Sequence, residues 1–113
     1  MNLEILKNSF GELYSQLTND DCTEIIVNSK EEIFFEEKGK IHQFSGSVGE
    51  VFEMIREMAK LANVEVDNDT KSLRFNIGHI SVVASTPKIS RKGYCFNLLK
   101  VKRSFKVDLD QLE

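Results

Sequence analysis

Thr23-Glu24-Ile25-Ile26-Val27-Asn28 and, after a short break, Ile33-Phe34-Phe35-Glu36-Glu37-Lys38-Gly39-Lys40-Ile41-His42-Gln43-Phe44 form the stretch that decides the fold. The first six residues are β-branched enough to predict a strand. Asn28-Ser29-Lys30-Glu31-Glu32 supplies turn-forming residues, and 33–37 reads as a second strand. Lys38-Gly39 separates it from a third at 40–44, and the glycine permits the positive φ that a tight hairpin requires. These strands pair antiparallel.

On the N-terminal side, Leu3, Leu6, Phe10, Leu13 and Leu17 recur at spacings of 3, 4, 3 and 4, which puts them on one stripe of a helix. Asn2 is a candidate cap, Gly11 weakens the middle, and Thr18-Asn19-Asp20-Asp21 ends the helix. On the C-terminal side, Ser45-Gly46-Ser47 leads to a second helix whose apolar face is Val48, Val51, Phe52, Ile55, Met58, Ala59 and Ala62. Ser47 stands three residues before Glu50 in a capping-box pattern. Beyond a polar turn at Asp67-Asn68-Asp69-Thr70, alternation in Leu73, Phe75, Ile80, Val82 and Ala84 around Asn76-Ile77-Gly78-His79 predicts another hairpin. A last strand over 94–101 alternates Phe96 and Leu98 with Cys95, Asn97 and Leu99. The predicted class is α+β, in the order α-β-β-β-α-β-β-β. Two main helices pack on one face of an antiparallel sheet of about six strands. One domain occupies 1–107, and 108–113 is a tail.

The 113 residues, 41% hydrophobic and 29% charged, suit one ordinary globular domain. Cys22 and Cys95 lie far apart without metal-ligand spacing, so they are expected to be reduced structural thiols with no zinc. No apolar run approaches the roughly 18 residues of a membrane span, and no signal-peptide pattern opens the chain, so the expected compartment is the cytoplasm.

Chemistry-bearing motifs are missing. No GxxxxGK[ST] loop is present to cradle nucleotide phosphates. His42 and His79 sit in a strand and a turn, away from any nucleophile motif, and Glu31-Glu32 and Glu36-Glu37 fall in hairpin segments where acids keep strands soluble. The expectation is a non-enzyme without cofactor or metal.

Charge is segregated. Residues 1–87 carry 15 acids and 8 bases, whereas 88–107 carry Lys88, Arg91, Lys92, Lys100, Lys102, Arg103 and Lys106 with no acid; the whole chain is −3. Lys88, Arg91, Lys92, Lys100, Lys102 and Arg103 are the candidate ligand- or partner-binding residues. The acidity of the rest of the chain argues against nucleic acid, which calls for a positive field over a whole face.

Four segments in order resemble the N-terminal domain of the type II/IV secretion ATPases, especially the CpaF-like branch that drives Tad pili. Residues 17–28 are similar to the family's "L-x-D-P-x-V-T-E-I-M-V-N", and 33–41 to "V-Y-V-E-R-x-G-K-L". The helix at 51–62 with Val64-Glu65-Val66-Asp67 resembles "I-x-R-I-A-x-x-x-G-R-x-V-D", 78–87 resembles "G-S-R-V-N-A-V-x-P-P", and Leu109-Asp110-Gln111-Leu112 the "L-x-x-L" opening the interdomain linker. Asp21 replaces the "D-P" proline, no arginine occurs around His79-Ile80-Ser81-Val82, and Asn97-Leu98-Leu99-Lys100 stands where the family has "T-I-R-K" with a nucleotide-facing arginine. Leucine cannot donate to phosphate.

The resemblance implies a non-catalytic interaction or regulatory module that docks on or co-assembles with a secretion or pilus ATPase or its membrane platform. It also allows a homo-oligomer, and a place peripheral to the inner membrane reached through partners. The alternative reading is a sensor binding a nucleotide or cyclic dinucleotide through 88–106.

Overall fold

The computed structural model describes residues 3–67, 69–88 and 93–101. Its centre is an antiparallel six-stranded sheet in the order β3-β2-β1-β6-β5-β4. The strands are β1 (Cys22–Ser29), β2 (Glu32–Glu37), β3 (Lys40–Phe44), β4 (Ser72–Ile77), β5 (Ile80–Ser85) and β6 (Cys95–Lys100). Two three-stranded meanders thus meet at the β1–β6 seam, where Ile25 faces Leu98 and Val27 faces Phe96. The α+β class and the element order agree with the sequence reading.

The β2–β3 turn has both Lys38 (φ 52°) and Gly39 (φ 81°) left-handed, the two-residue geometry whose twist matches the flanking strands. Strand β1 begins one residue earlier than the sequence suggested. A register shift between Cys22 and Glu24 turns Cys22 inward, where it is buried.

Both helices cover one face of the sheet. The first, α1, runs over 3–17 as four short turns, 3-10 and α in alternation. Its predicted stripe holds: Leu6, Phe10, Leu13 and Leu17 are buried against Phe96 and the rest of the core. Gly11 does more than weaken it. With φ 56° and ψ −132° the residue leaves helical geometry altogether, and the linker 45–50 fits into the break. There the Glu12 N–H donates to the Ser47 carbonyl at 2.9 Å, the Gly49 N–H donates to the Ser9 carbonyl at 2.9 Å, and the Glu12 carboxylate accepts the Ser47 N–H.

That docking overturns the expected capping box. The second helix, α2 (Val51–Leu61), has Glu50 as its N-cap, with no side-chain cap, because Ser47 is held by α1 instead. Val51, Met54, Ile55, Met58 and Ala59 form its buried face; Met54 joins the predicted set, while Phe52 lies at the margin. At its end Asn63 (φ 58°) is left-handed, the Asn63 N–H donates to Lys60 O and the Val64 N–H to Ala59 O, a Schellman closure with asparagine in the usual glycine position. The predicted turn at 67–70 is held by Asp67, whose carboxylate accepts from the Asp69 N–H and the Thr70 hydroxyl. Buried Thr86 fastens this turn to the end of β5 through bonds to Thr70 O and Lys71 O. The proposed cap Asn2 and the tail 108–113 lie outside the described residues.

Candidate functional site

Of the candidate basic residues, Lys88 and Lys100 are described; Arg91, Lys92, Lys102 and Arg103 lie outside the described residues. Lys100 ends β6 beneath the C-terminus of α1. Its ammonium donates to the Gln16 carbonyl (2.9 Å) and the Asn19 carbonyl (2.8 Å), each of which also accepts a backbone N–H, and its charge lies at the C-terminal end of the helix dipole. Burial lowers its pKa, an effect opposed by Cys22 and Asp20. The buried Cys22 thiol is pushed up by the same loss of water, against the pull of Lys100.

Lys88 sits at the far end of β5, near Asp69 at 3.7 Å. Ile80 pairs with Lys100 and Ser85 with Cys95. The ladder between those pairs spans about 17 Å at strand rise, and Lys88 lies beyond it. The two lysines therefore do not converge on one small anion.

Among the described residues no group of three or more His, Cys, Asp or Glu is placed to hold a metal. His42 stacks on Phe35 with centroids 5.2 Å apart on the exposed β3 edge, and His79 is in the β4–β5 turn. Glu37 accepts from the Asn19 side chain at 3.1 Å. Shallow grooves flank α1 and α2; one is closed by the Lys30–Glu50 ion pair (2.8 Å) beside the Phe52–Tyr94 ring contact. No helix of the described residues is long and apolar enough to cross a membrane.

The most distinctive surface is the sheet face opposite the helices. Strand pairing lays out one row there as Ile41–Glu36–Glu24–Leu99–Ser81–Asn76 and the next as Gln43–Phe34–Ile26–Asn97–Val83–Arg74. Ile41 is 58% exposed, Leu99 49% and Val83 42%, while Ile26 and Phe34 are half-buried. Glu24 and Glu36 are directly opposed across β1 and β2, and neither forms an ion pair among the described residues. Sequence reasoning that followed the basic run missed this face. Its signal was present: Ile25-Ile26-Val27 and Ile33-Phe34-Phe35 are apolar without alternation, so both faces of β1 and β2 carry hydrophobic side chains.

The fold and this surface define an α+β domain with one face of its sheet packed and the other left uncovered by the described residues. Among solved structures it is similar to the VirB11 ATPase of the Brucella suis type IV secretion system, determined in complex with sulphate. The TM-score is 0.69 at 13% sequence identity, with 88% of this chain and 30% of that one covered. The likeness is one of fold, and the chain spans under a third of the ATPase it matches. No protein-family model and no curated protein matches the sequence.

Proposed function

We propose that this domain is a non-catalytic interaction module that docks on or co-assembles with a secretion-type ATPase or its membrane platform. The observation that carries the reading is the match of 88% of the chain to 30% of a type IV secretion ATPase, in a sequence without a phosphate-binding loop. The CpaF-like branch is the one its segments resemble, and a cytoplasmic place beside the inner membrane follows from such a partner. The segregated charge, acidic to Pro87 and basic from Lys88 to Val107, suits steered association, which governs rate and specificity more than affinity.

Light scattering across salt concentrations, together with co-elution on a type IV secretion ATPase, tests the proposal. Salt-sensitive association with itself or with the ATPase is expected. A monomer at every salt concentration that leaves the ATPase unbound refutes it. The anionic-ligand reading draws less support, since Lys88 and Lys100 are far apart and Lys100 serves α1. Thermal-shift titration with nucleotides and cyclic dinucleotides tests it, because a ligand at 100 times its dissociation constant adds about 2.7 kcal/mol.

A further inference from the structure

We infer that the sheet face left uncovered by the described residues binds a cationic amphipathic helix of a protein partner. The inference rests on the interaction-module reading and gives it a surface and a partner chemistry.

Two independent observations converge on this face. It carries more apolar surface than a solvated sheet face ordinarily does, among polar neighbours: Ile41, Leu99 and Val83 are exposed, and Ile26 and Phe34 pair at its middle. Ile41 and Leu99 stand three strand spacings apart, about 14 Å, a length that three helical turns cover. Within the same row, Glu24 and Glu36 face each other directly, and like charges so placed destabilise a sheet. Covering the apolar residues would strip water from both carboxylates, which is costly unless the cover brings cations. An apolar stripe bearing lysine or arginine over the Glu24–Glu36 pair satisfies both requirements.

The same charges argue against other occupants. A second copy placed face to face with its two-fold axis through the Glu24–Glu36 pair would oppose carboxylates to carboxylates. An anionic lipid surface or a nucleic-acid backbone would be repelled. The basic candidates Lys88 and Lys100 take no part, Lys100 being engaged beneath α1.

The test uses two synthetic 18-residue amphipathic peptides, one of leucine and lysine and one of leucine and glutamate, titrated against the whole chain with amide chemical-shift mapping. The lysine peptide is expected to bind at least about tenfold more tightly, the scale of coupling between close interfacial charge pairs. Shifts should centre on Ile26, Phe34, Glu24, Glu36, Ile41 and Leu99. Glu24→Lys with Glu36→Lys should invert the preference, and Glu24→Gln with Glu36→Gln, which avoids new charge, should abolish it. Leu99→Ser should weaken the lysine peptide without changing the sign of the preference. Equal affinities, a preference that survives the charge reversal, or shifts confined to α1 and α2 would overturn the inference. Co-elution with the ATPase separates this failure from that of the broader reading. Binding retained by the reversal variant sinks the surface and leaves the module standing. Peptide selectivity without ATPase binding does the opposite.

Discussion

Replacing Gly11 by alanine separates two accounts of the first helix by the sign of the effect. In a continuous helix the change would stabilise, since alanine is favoured over glycine by about 0.5–1 kcal/mol. The structure gives the opposite answer. Gly11 has φ 56°, and a Cβ there would lie 2.6 Å from the Ser47 carbonyl oxygen and 3.1 Å from the Val48 Cα. Both neighbours are backbone, so no rotamer change relieves the contact. Forcing an L-residue into this conformation costs about 1–3 kcal/mol, and overpacking adds about 1–3 kcal/mol. The expected loss is about 2–6 kcal/mol, a fall in Tm of roughly 8–25 °C for a domain of this size. Thermal and urea unfolding followed by circular dichroism measure it. A Gly11→Ala variant as stable as the parent would refute the strapped kink.

Lys100→Met should cost about 1–2 kcal/mol in urea unfolding, less than two full charge-assisted bonds, because Gln16 O and Asn19 O each keep a backbone donor. Burial holds the Lys100 pKa below its ordinary value, so between the two values the unfolded chain binds more protons and the stability due to this residue rises with pH; a falling or flat difference from the Met variant contradicts that sign. A maleimide should label Cys95 well before Cys22 in the native protein, read by mass spectrometry, since Cys22 is buried with its thiol pushed up; equal rates would place Cys22 nearer solvent than described. Glu24→Lys should raise stability by about 0.2–1 kcal/mol, in a melt at low salt, by turning an opposed like pair into an opposite one.

Element types were legible because their signals are local. The 3-4-3-4 stripe from Leu3 to Leu17, the Lys38-Gly39 turn and the alternation of Phe96 and Leu98 each report burial on one face. What escaped reading depends on contacts between distant segments. Ser47 looks like a cap from its spacing to Glu50, yet the kink at Gly11 captures it, and no local pattern announces a break meeting a linker some 35 residues away. Cys22 joins β1 through a bulge, which period-two reasoning cannot place. The basic run was visible as charge, but which lysines are spent internally depends on register: Lys100 meets residues 81 and 84 positions earlier in the chain.

The β1–β6 seam has a consequence for how the chain is made. Its first and last strands are adjacent at the middle of the sheet, so neither meander can bury its inner edge until residues 95–100 have left the ribosome. At about 5–20 residues per second, the early hairpins wait several seconds with an unpaired strand exposed. During vectorial synthesis, holdase chaperones should therefore engage nascent chains arrested before Cys95 and release them once β6 is available.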